Sequence, residues 1–247
     1  MQRSSISLRS FWTAAWLGWQ IESNWTDPFL FATYSIVKPL AGAAILVVMY
    51  AVITGGKFDS PAFAYLYLGN AFYQYVPAVL SGICWTIIDD REHYRTLKYF
   101  YIAPLSIPIF LLGRGVAKFI TGSFGVIITL LAGVWFMRVP LQWAQIDWPL
   151  LVLTLALGIA MLSMLGLLLS GITMITARHS YYVGDVVASG LFLFTGAVFP
   201  LEVLPAFLRP VGYALPITYW LELIRRALVG NAVETFWASA RTALMKI

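Results

Sequence analysis

Residues 89–106, DDREHYRTLKYFYIAPLS, form a dense charged segment between two long apolar stretches. Six of the first ten residues are ionic, so this charged segment cannot lie in hydrocarbon and must sit in water or among lipid headgroups. The acids come first and the bases last, which suits the dipole of a short helix. Glu92 and Arg95 are spaced to pair at i, i+3, while Pro104 and Pro108 end this helix and start the next span. The pattern predicts a short amphipathic helix between two membrane spans, and such a helix suits the docking of a partner.

The composition predicts an integral membrane protein. Hydrophobic residues make up 60% of the chain, charged residues 11%, and the mean hydropathy is +0.81. A soluble domain has roughly 25% charged residues. The 247 residues have room for five or six spans of about 20 residues each, but not for a soluble enzyme domain as well. The net charge of +5 is ordinary for a protein in anionic lipid and does not indicate nucleic acid. Cys84, the single cysteine, lies in an apolar run and is interpreted as inert packing.

The N-terminal part of the chain predicts a helix that lies in the membrane interface. Residues 6–23 place three tryptophans on one face at helical spacing, and indole rings favour the headgroup region. Asp27 and Pro28 then read as the start of a second helix, and the first span lies between Phe29 and Ile53. Lys38 either marks a function within this span or, as we favour, snorkels to the headgroups from the membrane edge.

The second span, from about Phe63 to Ile88, is unusually polar for a helix that faces lipid. Polar side chains at this depth need partners, so the helix is expected to face other helices or a cavity. We consider two interpretations, a substrate path or interfacial tyrosines with hydrogen bonds between helices. The residues that would line the path are Tyr67, Asn70, Tyr73 and Gln74.

Three more spans follow the charged segment. The third covers Ile107 to Met137, the fourth runs from about Pro149 to Thr176, and the fifth begins at about Val186. Glycines recur along the third and fourth spans, where they permit close helix contact. His179, between the fourth and fifth spans, is interpreted as a loop or headgroup residue.

The distribution of basic residues places the N-terminus and the charged segment in the cytoplasm, by eight inner charges against five outer ones. The inner set is Arg3, Arg9, Arg91, Arg95, Lys98, Arg114, Lys118 and Arg178, and the outer set is Lys57, Arg138, Arg209, Arg225 and Arg226.

The last third of the chain carries prolines at positions 200, 205, 210 and 216. A continuous spanning helix does not tolerate this spacing, because proline removes backbone donors. Irregular backbone at membrane depth must be covered by protein or water. We therefore predict two short helices that dip into the outer leaflet and return. The charged residues expected near the outer surface are Glu202, Arg209, Glu222, Arg225 and Arg226, with Glu222 and Arg225 spaced to pair at i, i+3.

GAVFPLEVLPAFLRPVGYALPITYWLELIRRAL, together with DDREHYRTLKYFYIAPLS, resembles the membrane subunit of type 2 ABC exporters, the ABC-2 permease family. The resemblance covers about residues 10–235 and implies one transmembrane domain over residues 1–247. That domain would be an all-α polytopic bundle with an interfacial N-terminal helix over residues 6–27. It would also contain a cytoplasmic coupling helix over residues 89–101 and a re-entrant outer hairpin over residues 199–229, called the proline hairpin below.

The resemblance also carries over to individual positions. Asp90, Arg91, Glu92, Thr96 and Leu97 match the pattern of the coupling helix, with His93 and Arg95 among them. Pro200, Leu204, Pro205, Pro216 and Arg225 match the outer hairpin, which also contains Glu202 and Glu222.

The chain departs from the family pattern in two places. Arg95 stands where a glycine usually precedes the Thr-Leu pair. Asn231 to Ile247 is too short and too polar for a sixth span, so five spans are visible where the resemblance implies six.

The resemblance implies transport driven by a partner. The chain has no GxxxxGK[ST] phosphate loop, so ATP and Mg²⁺ are expected on a separate ABC ATPase subunit. A dimer of two permease copies is expected in a bacterial-type cytoplasmic membrane. The cargo is expected to be amphipathic, such as a lipid, a drug or a glycolipid, and to move outward.

Two other function classes stay open at this point. An integral-membrane enzyme acting on lipid would use Asp89, Asp90, Glu92 and His93 as an acid/base or metal cluster. Against it, the chain has only two histidines, in different loops, and metal sites usually need more converging ligands. A purely structural membrane scaffold would have neither transport nor an ATPase partner.

Overall fold

The computed structural model describes residues 2–23, 33–56, 58, 61–100, 102, 106–137, 146–176 and 182–230. Regular structure in these ranges is helical, which confirms the prediction of an all-α polytopic membrane protein. The α-helices are α1 Gln2–Ser23, α2 Lys38–Thr54, α3 Pro61–Tyr73, α4 Gly82–Ile88, α5 Leu97–Phe100, α6 Ile107–Met137, α7 Trp148–Ile175, α8 Val183–Phe194, α9 Arg209–Ala214 and α10 Pro216–Val229. Wider π-helical turns cover Thr33–Val37, Pro77–Ser81 and Asp89–His93, and a 3₁₀ turn covers Leu201–Val203. Residues 24–27, His179, Tyr101 and residues 231–247, for which the sequence made predictions, lie outside the described ranges.

Within the described ranges, the helices long and apolar enough to cross a bilayer are Ala62–His93, Ile107–Met137 and Trp148–Ile175. They correspond to the predicted second, third and fourth spans. The helices at the predicted first and fifth spans, α2 and α8, are shorter apolar helices. Lys38 is exposed at the first residue of α2.

The described residues fall into two compact units. The first unit takes its residues from Met1–Val37, Gln74–Gly125 and Ile159–Leu191, and the second from Lys38–Tyr73, Val126–Gly158 and Phe192–Ile247. The charged segment belongs to the first unit and the proline hairpin to the second.

Small residues allow helices of the first unit to pack closely. A Cβ added at Gly113 of α6 would lie 2.5 Å from the backbone oxygen of Phe11, so α1 packs directly on the start of α6. A Cβ at Gly166 would lie 2.8 Å from the Ile83 side chain, which brings α7 against α4. Two of the three predicted interfacial tryptophans of α1 remain outside this contact, because Trp12 and Trp16 are 65% and 63% exposed, whereas Trp19 stacks on Phe124 of α6. Their exposure suits the interfacial position that the sequence predicts for α1.

The second unit has an aromatic core. Phe63 and Tyr67 of α3 pack on Tyr50 of α2, with ring centroids of Phe63 and Tyr50 5.0 Å apart. The ring of Tyr67 also lies against Gly133 of α6, where a Cβ would be only 2.2 Å from that ring. The predicted close contacts of the spans at glycine are therefore present at Gly133.

Prolines divide the chain after α8, as the sequence predicts. Pro200 precedes the 3₁₀ turn in extended backbone, and Leu204, before Pro205, is again extended. Pro216 is the first residue of α10, where the missing backbone donor costs nothing. The result is two short helices, α9 and α10, instead of one continuous long helix.

Candidate functional site

The charged segment has a buried part at Asp90, called the root, and an exposed part that includes Tyr94 and Tyr99, called the tip. Asp90, at the root, is 7% exposed, whereas Tyr94 and Tyr99 are 55% and 58% exposed. The ionic residues Glu92, His93, Arg95 and Lys98 are exposed as well. This arrangement presents charge and aromatic surface to water while the segment remains attached to the long helix Ala62–His93.

Hydrogen bonds close the root of the charged segment into a tight turn. The backbone N–H of Thr96 donates to the carbonyl oxygen of Asp90 at 2.8 Å. The Thr96 hydroxyl lies 3.2 Å from the Asp90 carboxylate, to which it donates. Arg95, between them, has φ of 52°, a left-handed conformation that glycine adopts more easily. The glycine that the family pattern places here would therefore relieve the backbone strain that Arg95 bears.

The structure corrects two details of this segment. The expected single helix over residues 89–101 is divided, because the helical turn Asp89–His93 and α5 are separated at Tyr94–Thr96. Glu92 forms its ion pair with Arg91, at 2.8 Å, instead of the predicted pair with Arg95. The left-handed conformation of Arg95 explains both differences. It interrupts the helix between His93 and Leu97, and it moves the Arg95 side chain away from the position one helical turn after Glu92.

Two basic residues of α6, which contributed to the predicted orientation, lie close to the charged segment and its neighbours. Arg114 is 3% exposed, and its positive charge lies near enough to act on the Asp90 carboxylate. Lys118 forms an ion pair with Glu22 of α1 and lays its aliphatic stem against Gly82 of α4. Lys118 therefore joins α6 to α1 and packs on α4.

The proline hairpin contains a fully buried cation. Arg225 of α10 is 2% exposed, and its guanidinium lies 3.6 Å from the ring centroid of Tyr65 on α3. The same guanidinium donates hydrogen bonds to the carbonyl oxygens of Gly196 and Ala197 at 2.8 and 3.2 Å. Its expected pairing with Glu222 is present at 3.7 Å.

Glycine 69 makes room for this cation. A Cβ at Gly69 would lie 1.9 Å from the guanidinium of Arg225 and 2.3 Å from the carbonyl oxygen of Ala197. Sequence reasoning missed Gly69 and Tyr65. Their spacing of four residues, a small residue one turn after an aromatic, was the available signal of a close approach on one helix face.

Other hydrogen bonds hold the rest of the hairpin. Arg209 donates to the backbone oxygens of Glu202 and Leu204 at 2.7 and 2.8 Å, which closes the turn between Pro200 and Pro205. The indole N–H of Trp220 donates to the carbonyl oxygen of Thr154 at 2.8 Å. The bonds of Arg209 stabilise the irregular turn, and the bond of Trp220 attaches α10 to α7.

The residues of the predicted substrate path have different environments. Tyr67 is buried, and its hydroxyl donates to the carbonyl oxygen of Thr129 at 2.6 Å. Tyr73 is buried against the ring of Phe192 at 4.8 Å. Asn70 and Gln74 are half-buried. The two tyrosines therefore pack between helices, as the alternative interpretation of this polar span expected.

The residues proposed for an enzymatic site have separate partners. His93 Nδ1 lies 3.1 Å from the carboxylate of Asp89, and the two side chains are 68% and 40% exposed. Asp90 is directed toward Thr96 and Glu92 toward Arg91. Across the described residues, no cluster of three or more histidine, cysteine or acidic side chains is placed to hold a metal ion.

These features define a helical membrane protein with an exposed charged segment and a hairpin built around a buried arginine. A sequence model of the ABC-2 type transporter matches residues 9–229, and the chain belongs to this family. It is accordingly the permease subunit of an ABC transporter and not an enzyme, and members of the family generally work with an ABC ATPase and often dimerise. No curated protein matches the chain.

Proposed function

We propose that this permease exports an amphipathic, lipid-like, drug or glycolipid cargo, driven by ATP hydrolysis on a separate ABC ATPase bound to the charged segment. Two permease copies and two ATPase subunits form the working transporter. It works in a bacterial-type cytoplasmic membrane with the N-terminus and the charged segment in the cytoplasm. The excess of basic residues assigned to that side supports this orientation.

The observation that carries the proposal is the exposed tip on the buried root of the charged segment. A docking surface needs exposed groups, and Glu92, His93 and Tyr94 supply charge and an aromatic ring. A part that transmits force also needs a firm attachment, which Asp90 and Thr96 supply. The exposed aromatic and basic side chains at Lys98 and Tyr99 extend the same surface.

The mechanism is mechanical. ATP-driven closure of the ATPase pair moves the charged segment, and the helices Ala62–His93 and Ile107–Met137 that flank it carry this movement into the membrane. Transport requires the two conformational states to differ in their affinity for the ATP-bound partner. ATP and Mg²⁺ stay on the ATPase throughout.

We place the cargo path along the second span at Asn70 and Gln74, because Tyr67 and Tyr73 of the predicted path are buried in contacts between helices. The half-buried Asn70 and Gln74 are the side chains we assign to polar parts of the cargo. Aromatic residues make up 16% of the chain, which suits a cargo with an apolar portion. An amphipathic cargo would meet both kinds of surface.

The proposal is tested by reversing the charges at Arg91 and Glu92. The tagged permease is purified from its native membrane together with any ATPase bound to it. The ATP hydrolysis of this complex is measured, and its stimulation is measured after the complex is placed in liposomes. Arg91→Glu combined with Glu92→Lys is expected to lower bound ATPase activity at least tenfold. The fold is expected to remain, because the exchange keeps opposite charges at the two positions and the pair they form is partly exposed.

Arg226→Gln is the matched control, because Arg226 is also half-exposed and also pairs with a neighbouring glutamate, at 3.9 Å. It lies on α10, outside the charged segment. Full ATPase binding by the charge-reversed permease would refute the docking role. Turnover of lipid by the isolated chain, without any ATPase, would instead favour the enzyme.

A further inference from the structure

We propose that Arg225 is a positioning residue that fastens the proline hairpin to α3, so that the hairpin and the second span move together during transport. The contacts concerned lie within the second unit. An arginine that only paired with Glu222 would not need to join α10 to α3. The positioning role of Arg225 rests on the proposed function only where ATP hydrolysis is measured.

Arg225 contacts three separate parts of the second unit. Its guanidinium lies over the ring of Tyr65, a residue of α3. It donates to the carbonyl oxygens of Gly196 and Ala197, which follow the end of α8 at Phe194. One arginine on α10 is therefore bound to α3 and to the chain after α8.

The carbonyl contacts stabilise the turn that follows α8, since Gly196 and Ala197 come two and three residues after Phe194, the last residue of that helix. Carbonyl oxygens in an irregular, buried stretch have no helical partner and need a hydrogen-bond donor. Gly196 has φ of 69°, so the chain turns in a left-handed conformation and presents its carbonyl oxygen to Arg225. The guanidinium therefore supplies the donors that this turn needs away from water.

The planar guanidinium is required for this set of contacts. It stacks on an aromatic ring with its face while its N–H groups donate from the edge, and an ammonium group cannot do both. Gly69 provides the space, since any Cβ there would overlap the guanidinium and the Ala197 carbonyl. Because Arg225 is buried, water cannot replace a lost contact.

Arg226, the next residue, shows the contrast. Its side chain is 51% exposed and reaches Glu222 at 3.9 Å. Both arginines carry the same charge on the same helix, and they share Glu222 as an ion-pair partner. Of the two arginines, Arg225 is the one with a described contact to α3, so the comparison of the two separates this contact from charge on α10 in general.

The direct test is a distance measurement by pulsed electron paramagnetic resonance on the full-length permease in nanodiscs. Spin labels are attached at Leu223 of α10 and Ile53 of α2, both exposed positions within the second unit, after Cys84→Ala. In the parent protein the distance distribution is expected to be narrow. Arg225→Gln is expected to broaden it at least twofold, and Arg226→Gln to leave it unchanged.

Tyr65→Leu and Arg225→Lys provide the test when Arg225→Gln lowers the yield of folded protein. Tyr65→Leu removes the ring, and Arg225→Lys keeps the charge but loses the flat fork. Both are expected to broaden the distribution, and Tyr65→Phe, which keeps the ring, to restore it. A parent-like distribution in Arg225→Lys and Tyr65→Leu would overturn the inference.

The coupling measurement uses the complex with its ATPase in liposomes. Arg225→Lys is expected to retain at least half of the ATP hydrolysis and to lose lipid-stimulated hydrolysis at least fivefold, whereas Arg226→Lys retains both. Equal stimulation in the two variants would contradict the positioning role. If no ATPase binds any variant, the proposed function fails, while the distance measurement still decides the role of Arg225.

Discussion

The charged segment and the proline hairpin contain similar numbers of ionic residues, six and five, but the structure places them in opposite environments. In the charged segment the ionic groups are mostly exposed, and Asp90 at the root is buried. In the hairpin Arg225 is buried with several protein partners. Exposed charges remain available to another protein, whereas a buried charge fixes the elements that surround it. Mutations in the hairpin should therefore mainly lower the stability of the permease, and mutations in the charged segment should mainly weaken the binding of a partner.

The largest loss of stability is expected for Gly69→Ala. The new methyl group would overlap the guanidinium of Arg225 and the backbone oxygen of Ala197, and backbone cannot move aside cheaply. We expect a loss of about 3 kcal/mol in the free energy of unfolding, the upper part of the range for overpacking. Unfolding in mixed detergent, followed by circular dichroism, measures it. Gly42→Ala is the control, because a Cβ at Gly42 meets nothing within 4 Å. Equal stability of the two variants would show that the hairpin is not held against α3 at this point.

A smaller loss is expected when one hydrogen bond of the hairpin is removed. Trp220→Phe keeps most of the ring but leaves the buried carbonyl of Thr154 without this donor. The expected cost is about 1–2 kcal/mol. Trp148→Phe, at a half-exposed tryptophan of α7, is the matched control and should change stability by less than about 0.5 kcal/mol. Equal losses of unfolding free energy for the two substitutions would show that this hydrogen bond does not stabilise the hairpin.

At the root of the charged segment, Thr96→Val is expected to cost about 1 kcal/mol, since it removes a hydroxyl that donates to Asp90. Its effect on stimulated ATP hydrolysis should be larger than its effect on stability, because the segment loses part of its attachment. Thr96→Ser keeps the hydroxyl and should restore both properties. The stimulated rate and the unfolding midpoint, measured on the same preparations, separate the two effects. A Thr96→Val permease with full stimulation would show that the attachment does not transmit force.

The smallest effect on stability, but a clear effect on assembly, is expected from salt. Raising the ionic strength from about 0.05 M to about 0.5 M screens the exposed charges of the charged segment. ATPase binding should weaken by roughly tenfold, as surface plasmon resonance on nanodisc-embedded permease can measure. The unfolding midpoint should stay nearly constant, because the contacts of Arg225 are buried. Salt-independent binding would point to a docking surface based on the exposed tyrosines alone.

Several features were predictable because they depend on local chain properties. The bounds of the third span, Ile107–Met137, follow from its apolar run and are confirmed. The breaks around Pro200, Pro205 and Pro216 follow from the missing backbone donors. The paired Glu222 and Arg225 follow from helical spacing. The division of the charged segment at Arg95 was not predicted, because a left-handed φ at a non-glycine residue has no clear signal in the sequence.

The sequence by itself determined the membrane class, the positions of the long apolar helices, the breaks at the prolines and the family to which the chain belongs, because apolar runs, prolines and charge are read along the chain. Only the tertiary structure decided which charges are buried. Arg225 and Arg226 are adjacent and chemically identical, yet Arg225 is buried over the ring of Tyr65 and the side chain of Arg226 is 51% exposed. Burial depends on which helix face meets α3 and on the space that Gly69 leaves there. Residues distant in the chain set both conditions, so no pattern local to α10 contains them.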